Sequence, residues 1–104
     1  MGPFQASSLG KTVAAASSSA RTKIPTGVGY ALRIVTDAGA NAVFLRFGDD
    51  SVVASTADNG YHYKIPAGVI ETINIPEGLE AATDVAYITD TGSLNVNLVR
   101  GKGL

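Results

Sequence analysis

The sequence predicts an all-β domain, a small antiparallel β-sandwich or jelly roll with an extended N-terminal arm. Three observations carry that prediction. The tetrapeptide Ile-Pro-x-Gly occurs at residues 24–27, 65–68 and 75–78, each time closing a short apolar or alternating run. Proline presets φ and removes a ladder donor, so each copy reads as a strand end and a turn, with glycine in the closing position. Leu94, Val96 and Leu98 alternate with Asn95 and Asn97, the period of a strand with one face in a core. Finally, Asp37-Ala38-Gly39, Gly48-Asp49-Asp50, Asp58-Asn59-Gly60 and Asp90-Thr91-Gly92 punctuate the runs with turn chemistry.

Met1 to Lys11 mixes Gly, Pro and Ser with isolated Phe4 and Leu9 and has no period, so residues 1–11 read as an arm and 12–104 as one β-sandwich domain. Thr12 to Ala20 is rich in Ala and Ser. Its hydroxyl residues compete with a helical backbone and no i, i+3, i+4 stripe forms, so extended chain is expected. Eight strands follow in order: 21–24, 30–36, 42–47, 52–55, 61–65, 69–75, 84–89 and 94–100. In the second of these, Tyr30, Leu32 and Ile34 share one face and Arg33 takes the other. The turn at Asp90 is expected to join the last two as a hairpin.

At 104 residues the chain is long enough to bury a core without a staple, and it contains no cysteine. Eight Lys+Arg against nine Asp+Glu, with the basic residues scattered singly, leave no footprint for nucleic acid or anionic lipid. Val13 to Ala16 is far too short to cross a membrane, and no secretory leader is expected. Charged residues are only 16% of the chain, so few charges hold monomers apart. Such a surface suits being covered by protein.

No residue set amounts to a catalytic centre, and no cofactor or metal is expected. Asp90-Thr91-Gly92-Ser93 matches the aspartic-protease signature, but a turn between two strands explains the same letters. Gly10-Lys11-Thr12 resembles the end of a phosphate-binding loop, yet Gln5 stands where that loop needs glycine. His62 is the only histidine, which is too few for an ordinary zinc site. It reads as an exposed or interface residue sharing a face with Lys64, with Tyr61 and Tyr63 on the opposite face as core or interface aromatics. Asp49, Asp50 and Asp58 read as turn formers in preference to calcium ligands.

An ordered series of segments carries a family resemblance: Ala20-Arg21-Thr22-Lys23-Ile24-Pro25, Leu32-Arg33-Ile34-Val35 and Asn41-Ala42-Val43-Phe44-Leu45-Arg46-Phe47-Gly48. It continues through Ala54-Ser55-Thr56-Ala57-Asp58, Ile65-Pro66-Ala67-Gly68 ahead of Glu71, Val85-Ala86-Tyr87-Ile88-Thr89 and the closing Gly101-Lys102-Gly103. From about Ser19 onward the chain resembles small structural proteins encoded among the virion genes of tailed bacteriophages and prophages. The resemblance implies a virion component made in the host bacterial cytoplasm, in the role of a capsid decoration or cement protein. Its partner would be the major capsid protein, and copies would self-associate, as trimers ahead of dimers. No active-site residue is carried over. The chain departs from the family at Asp58-Asn59-Gly60-Tyr61-His62-Tyr63, where a shorter apolar link is usual. Tyr61, His62 and Tyr63 are therefore candidate contact residues, together with Phe4 and Leu9 on the arm. The alternatives are another virion part, such as a tail, adaptor or head-fibre base component, or a carbohydrate-binding module that stacks sugars on the same three rings.

Overall fold

The structure, a computed structural model, describes residues 4–102; Met1, Gly2 and Pro3 of the arm and the closing Gly103 and Leu104 lie outside them. Among the described residues there are nine strands and no helix. They are β1 (Gln5–Ala6), β2 (Lys11–Ala15), β3 (Ala20–Lys23), β4 (Ala31–Thr36), β5 (Ala42–Gly48), β6 (Tyr63–Pro66), β7 (Ile70–Asn74), β8 (Asp84–Thr89) and β9 (Leu94–Lys102). One sheet runs β2-β9-β4-β7, with β1 beside the far end of β9, and the other runs β3-β8-β5-β6. Every pairing is antiparallel. Two four-stranded sheets in those orders make the eight-stranded jelly roll.

Alternation builds the core. Leu32 and Ile34 of β4, Val43, Leu45 and Phe47 of β5, Val85 and Tyr87 of β8, and Leu94, Val96 and Leu98 of β9 all point between the sheets. The pleat sends Arg33 of β4 and Asn95 of β9 to the outside, where both are exposed. Tyr30 departs from its expected place: it precedes β4, is exposed, and lies 5.9 Å beneath the Arg100 guanidinium. Arg100 cannot leave the inner side of β9, so it closes the open end of the sandwich by donating to the Gly29 carbonyl (2.8 Å) and the Pro25 carbonyl (3.4 Å).

All three Ile-Pro-x-Gly copies carry the chain from one sheet to the other: β3 to β4, β6 to β7, and β7 to β8. The isoleucine of each is buried and plugs the margin of the core at the crossing. The glycine's role differs from the one expected. In the third copy the turn is closed by Leu79 N–H donating to the Pro76 carbonyl, and Gly78 sits inside it with φ of 88°. Left-handed backbone is what the position demands. At the second crossing, the buried Thr36 hydroxyl donates to the Pro66 carbonyl (2.9 Å) and accepts from Val69 N–H (3.0 Å). Pro66, which has no N–H to offer, ends the edge strand β6.

Three further expectations are corrected. Residues 84–89 and 94–100 do not form a hairpin, because β8 and β9 belong to different sheets and the Asp90 turn crosses between them. That turn is tied to the start of β5 instead: Asp90 Oδ1 accepts from Ala42 N–H (3.1 Å), and Asn41 Nδ2 donates to the Thr91 and Ser93 carbonyls (both 2.9 Å). Residues 52–55 are not a strand but part of a loop laid over the outer face of the second sheet. Residues 5–11 are not a free arm. Gln5 and Ala6 pair with Lys102 and Gly101, Ser7 Oγ donates to the Val28 carbonyl (2.6 Å), and β2 already begins at Lys11. Unpaired backbone on β9 would otherwise face solvent, and this segment supplies its partners.

Candidate functional site

The outer face of the β2-β9-β4-β7 sheet is a regular surface built from four paired strands. Because Leu98, Ile34 and Ile73 face the core, their neighbours Asn97, Val35 and Thr72 must face outward. The face carries amides, threonines and β-branched apolar groups; its charges are Arg33 and, at the end of β4, the Asp37 carboxylate that meets Asn95. Ile70, at 63% exposure, lies at its margin. The amides are held in place: Asn97 Nδ2 donates to Thr12 Oγ1 (3.1 Å) and Asn95 Nδ2 to Asp37 Oδ2 (3.1 Å). Each amide keeps an outward carbonyl and a second N–H for a partner. Few charges and polar groups already fixed suit a protein–protein contact, since little side-chain freedom is lost on docking.

The opposite outer face is occupied by the chain itself. The loop from Asp49 to His62 is pinned by Arg46 Nη1 on the Val53 carbonyl (3.3 Å), Arg21 Nη1 on the Val52 carbonyl (3.5 Å) and Ser19 Oγ under Ala54 N–H (3.0 Å). Ala54, within the loop, is itself buried. Asn59, with φ of 73°, and Gly60 turn the loop back towards β6. Beside it, Asp84 is 3% exposed and accepts from the Thr83 hydroxyl (2.6 Å) and Lys23 Nζ (2.9 Å). The Thr83 hydrogen bond first, and Lys23 second, hold its carboxyl below the usual aspartate range.

Tyr61, His62 and Tyr63 do not share one platform. Tyr61 does not share a face with Tyr63 as expected: its ring meets the outward-facing Phe44 edge-on at 4.9 Å, on the side of Lys64, whose Nζ lies 5.5 Å from the same Phe44 ring. Tyr63 packs on the core beside Phe47 and its hydroxyl donates to the Asn74 carbonyl (2.6 Å), joining β6 to β7. His62 is exposed, but its Nδ1 accepts Phe47 N–H at 3.0 Å and thereby continues the β5 edge. An acceptor nitrogen cannot carry a proton; partial burial, and then the nearby Arg46 charge, push this imidazole below its ordinary value. Each of the three residues therefore has a structural anchor. Their signal in the sequence, a polar aromatic cluster, records a loop closure.

The two arm residues separate. Leu9 is 90% exposed, whereas the Phe4 ring lies against Gly101. Among the described residues no group of three His, Asp or Glu side chains could hold a metal ion. Sequence reasoning missed the outer-face residues Thr12, Val35, Thr72 and Val99, since strand pairing across distant segments is what assembles them. The alternation of Asn95 and Asn97 was the one local signal. No protein-family model, no curated protein and no solved structure matches the chain.

Proposed function

We propose that this protein is a non-enzymatic structural component of a phage virion, a capsid decoration protein that lies on the assembled lattice of the major capsid protein and stiffens the head. The observation that supports it is the outer face of the β2-β9-β4-β7 sheet, nearly free of charge and carrying amides already fixed by Thr12 and Asp37. The resemblance to phage virion proteins supplies the partner. A single small copy adds little burial, so copies must act together on the shell, where many weak contacts become strong binding. The carbohydrate-module reading draws no support from the separate anchors of Tyr61, His62 and Tyr63.

The test is Val35→Glu, which sets a carboxylate on the face from β4, an inner strand of the sheet. Val35 is half-buried on an inner strand, so stability should fall by about 1–2 kcal/mol, which leaves the domain folded. Occupancy of purified shells should fall by roughly tenfold or more, because docking would bury an unpaired charge. Shells that take up this variant as they take up the parent protein would show that another surface makes the contact.

A further inference from the structure

The sandwich has four edges, and lysine, arginine or proline stands on three of them. β2 carries Lys11, β3 carries Arg21 and Lys23, and β6 carries Lys64 and ends at Pro66. Such residues discourage pairing with another chain. β7, with the sequence Ile-Glu-Thr-Ile-Asn, has no lysine, arginine or proline; its one charge, Glu71, lies on the side of the strand that it shares with Ile34.

Its free hydrogen-bonding groups follow from its register. The β4–β7 ladder is unbroken from Thr36 N–H on the Val69 carbonyl (3.0 Å) to Ile75 N–H on the Tyr30 carbonyl (2.7 Å). Antiparallel ladders send successive residues' groups to alternate sides. Val69, Glu71, Ile73 and Ile75 thus face β4, and the N–H and C=O of Ile70, Thr72 and Asn74 point away from the sheet. The Asn74 carbonyl already accepts the Tyr63 hydroxyl and keeps a second lone pair. Among the described residues, nothing reaches the outward groups of Ile70 or Thr72.

We propose that two copies of the chain pair through β7, antiparallel across a two-fold axis at Thr72. This register sets Thr72 opposite Thr72 and Ile70 opposite Asn74 of the second copy, so every outward N–H and C=O of the strand finds a partner. Glu71 then faces Ile73. The adjacent register, centred on Glu71, opposes two carboxylates and leaves Asn74 unpaired, and like charges directly opposite oppose pairing. A two-fold contact of this kind is self-complementary and closed. It joins two copies of the β2-β9-β4-β7 sheet edge to edge, so that their nearly uncharged outer faces become one. One strand buries less than a standard interface of about 1,600 Å², so the pairing is weak in dilute solution. The inference concerns the chain alone and does not rest on the capsid reading.

Two measurements test it. In the unmodified protein, sedimentation should show the average mass rising with concentration from one chain towards two. The amides of Ile70, Thr72 and Asn74 should gain hydrogen-exchange protection over the same range. Thr72→Lys places like charges against each other at the axis, with Arg33 beside them across the β4–β7 pair, and should weaken self-association by roughly tenfold; Thr72→Asp, whose carboxylate faces Arg33, should weaken it less. An equimolar mixture of the two should associate again as a mixed pair. A protein that stays monomeric at millimolar concentration would overturn the proposal, as would association that leaves those three amides unprotected or a mixture no tighter than its components. If either variant fails to fold, the exchange measurement on the unmodified chain decides.

Discussion

Leu98→Ala should cost about 3 kcal/mol and lower the melting temperature by roughly 15 °C, while Val99→Ala, one residue along the same strand, should cost under about 1 kcal/mol. Leu98 is 1% exposed and sits on β9, which is paired to both β2 and β4, so the surroundings cannot collapse into the space left by its side chain. Val99 points to the outer face and leaves no cavity. For a domain whose total stability is on the order of 5–15 kcal/mol, the first change removes a large share and the second almost none. Denaturant unfolding of the two variants checks the pleat directly. Equal losses would mean that β9 is not oriented as described.

Much of this was legible in the sequence because it is local. The alternation at Leu94 to Leu98 needed no knowledge of the partner strand, and residues 84–89 form a strand with the bounds expected. What could not be read was longer in range. Asp90-Thr91-Gly92 reads as a turn whether the next strand pairs with the last or crosses to the other sheet; the bonds from Ala42 and Asn41 select the crossing. Val52 and Val53 have the composition of a strand, but Arg21 and Arg46 hold their carbonyls as a loop. Gln5 and Ala6 are too few to show a period. Their place is marked instead by what is missing from the chain opposite, a side chain at residue 101.

Gly101→Val should lift the N-terminal segment off the domain and cost about 2 kcal/mol, as overpacking commonly does. A Cβ at residue 101 would collide with the Gln5 carbonyl oxygen and lie 2.7 Å from the Phe4 ring. The β1 pairing cannot survive that. With it would go the bonds from Ser7 N–H to the Arg100 carbonyl (2.7 Å) and from Arg100 N–H to Ser8 Oγ (2.9 Å). Amides of Gln5 to Ser8 should lose exchange protection, and those of Val13 and Ala15, paired with Val96 and Leu94, should keep it. If residues 5–10 were a free arm, the substitution would leave the stability and exchange of this segment unchanged.

The proposed role demands many copies per particle. Gel densitometry of purified virions measures it most directly: a decoration protein should be present at a stoichiometry comparable with that of the major capsid protein, and removable from the head surface without loss of the shell. A polypeptide abundant in infected cells and missing from finished particles would contradict the account, and one present only in the copies of a single ring would place it at a tail or portal junction instead.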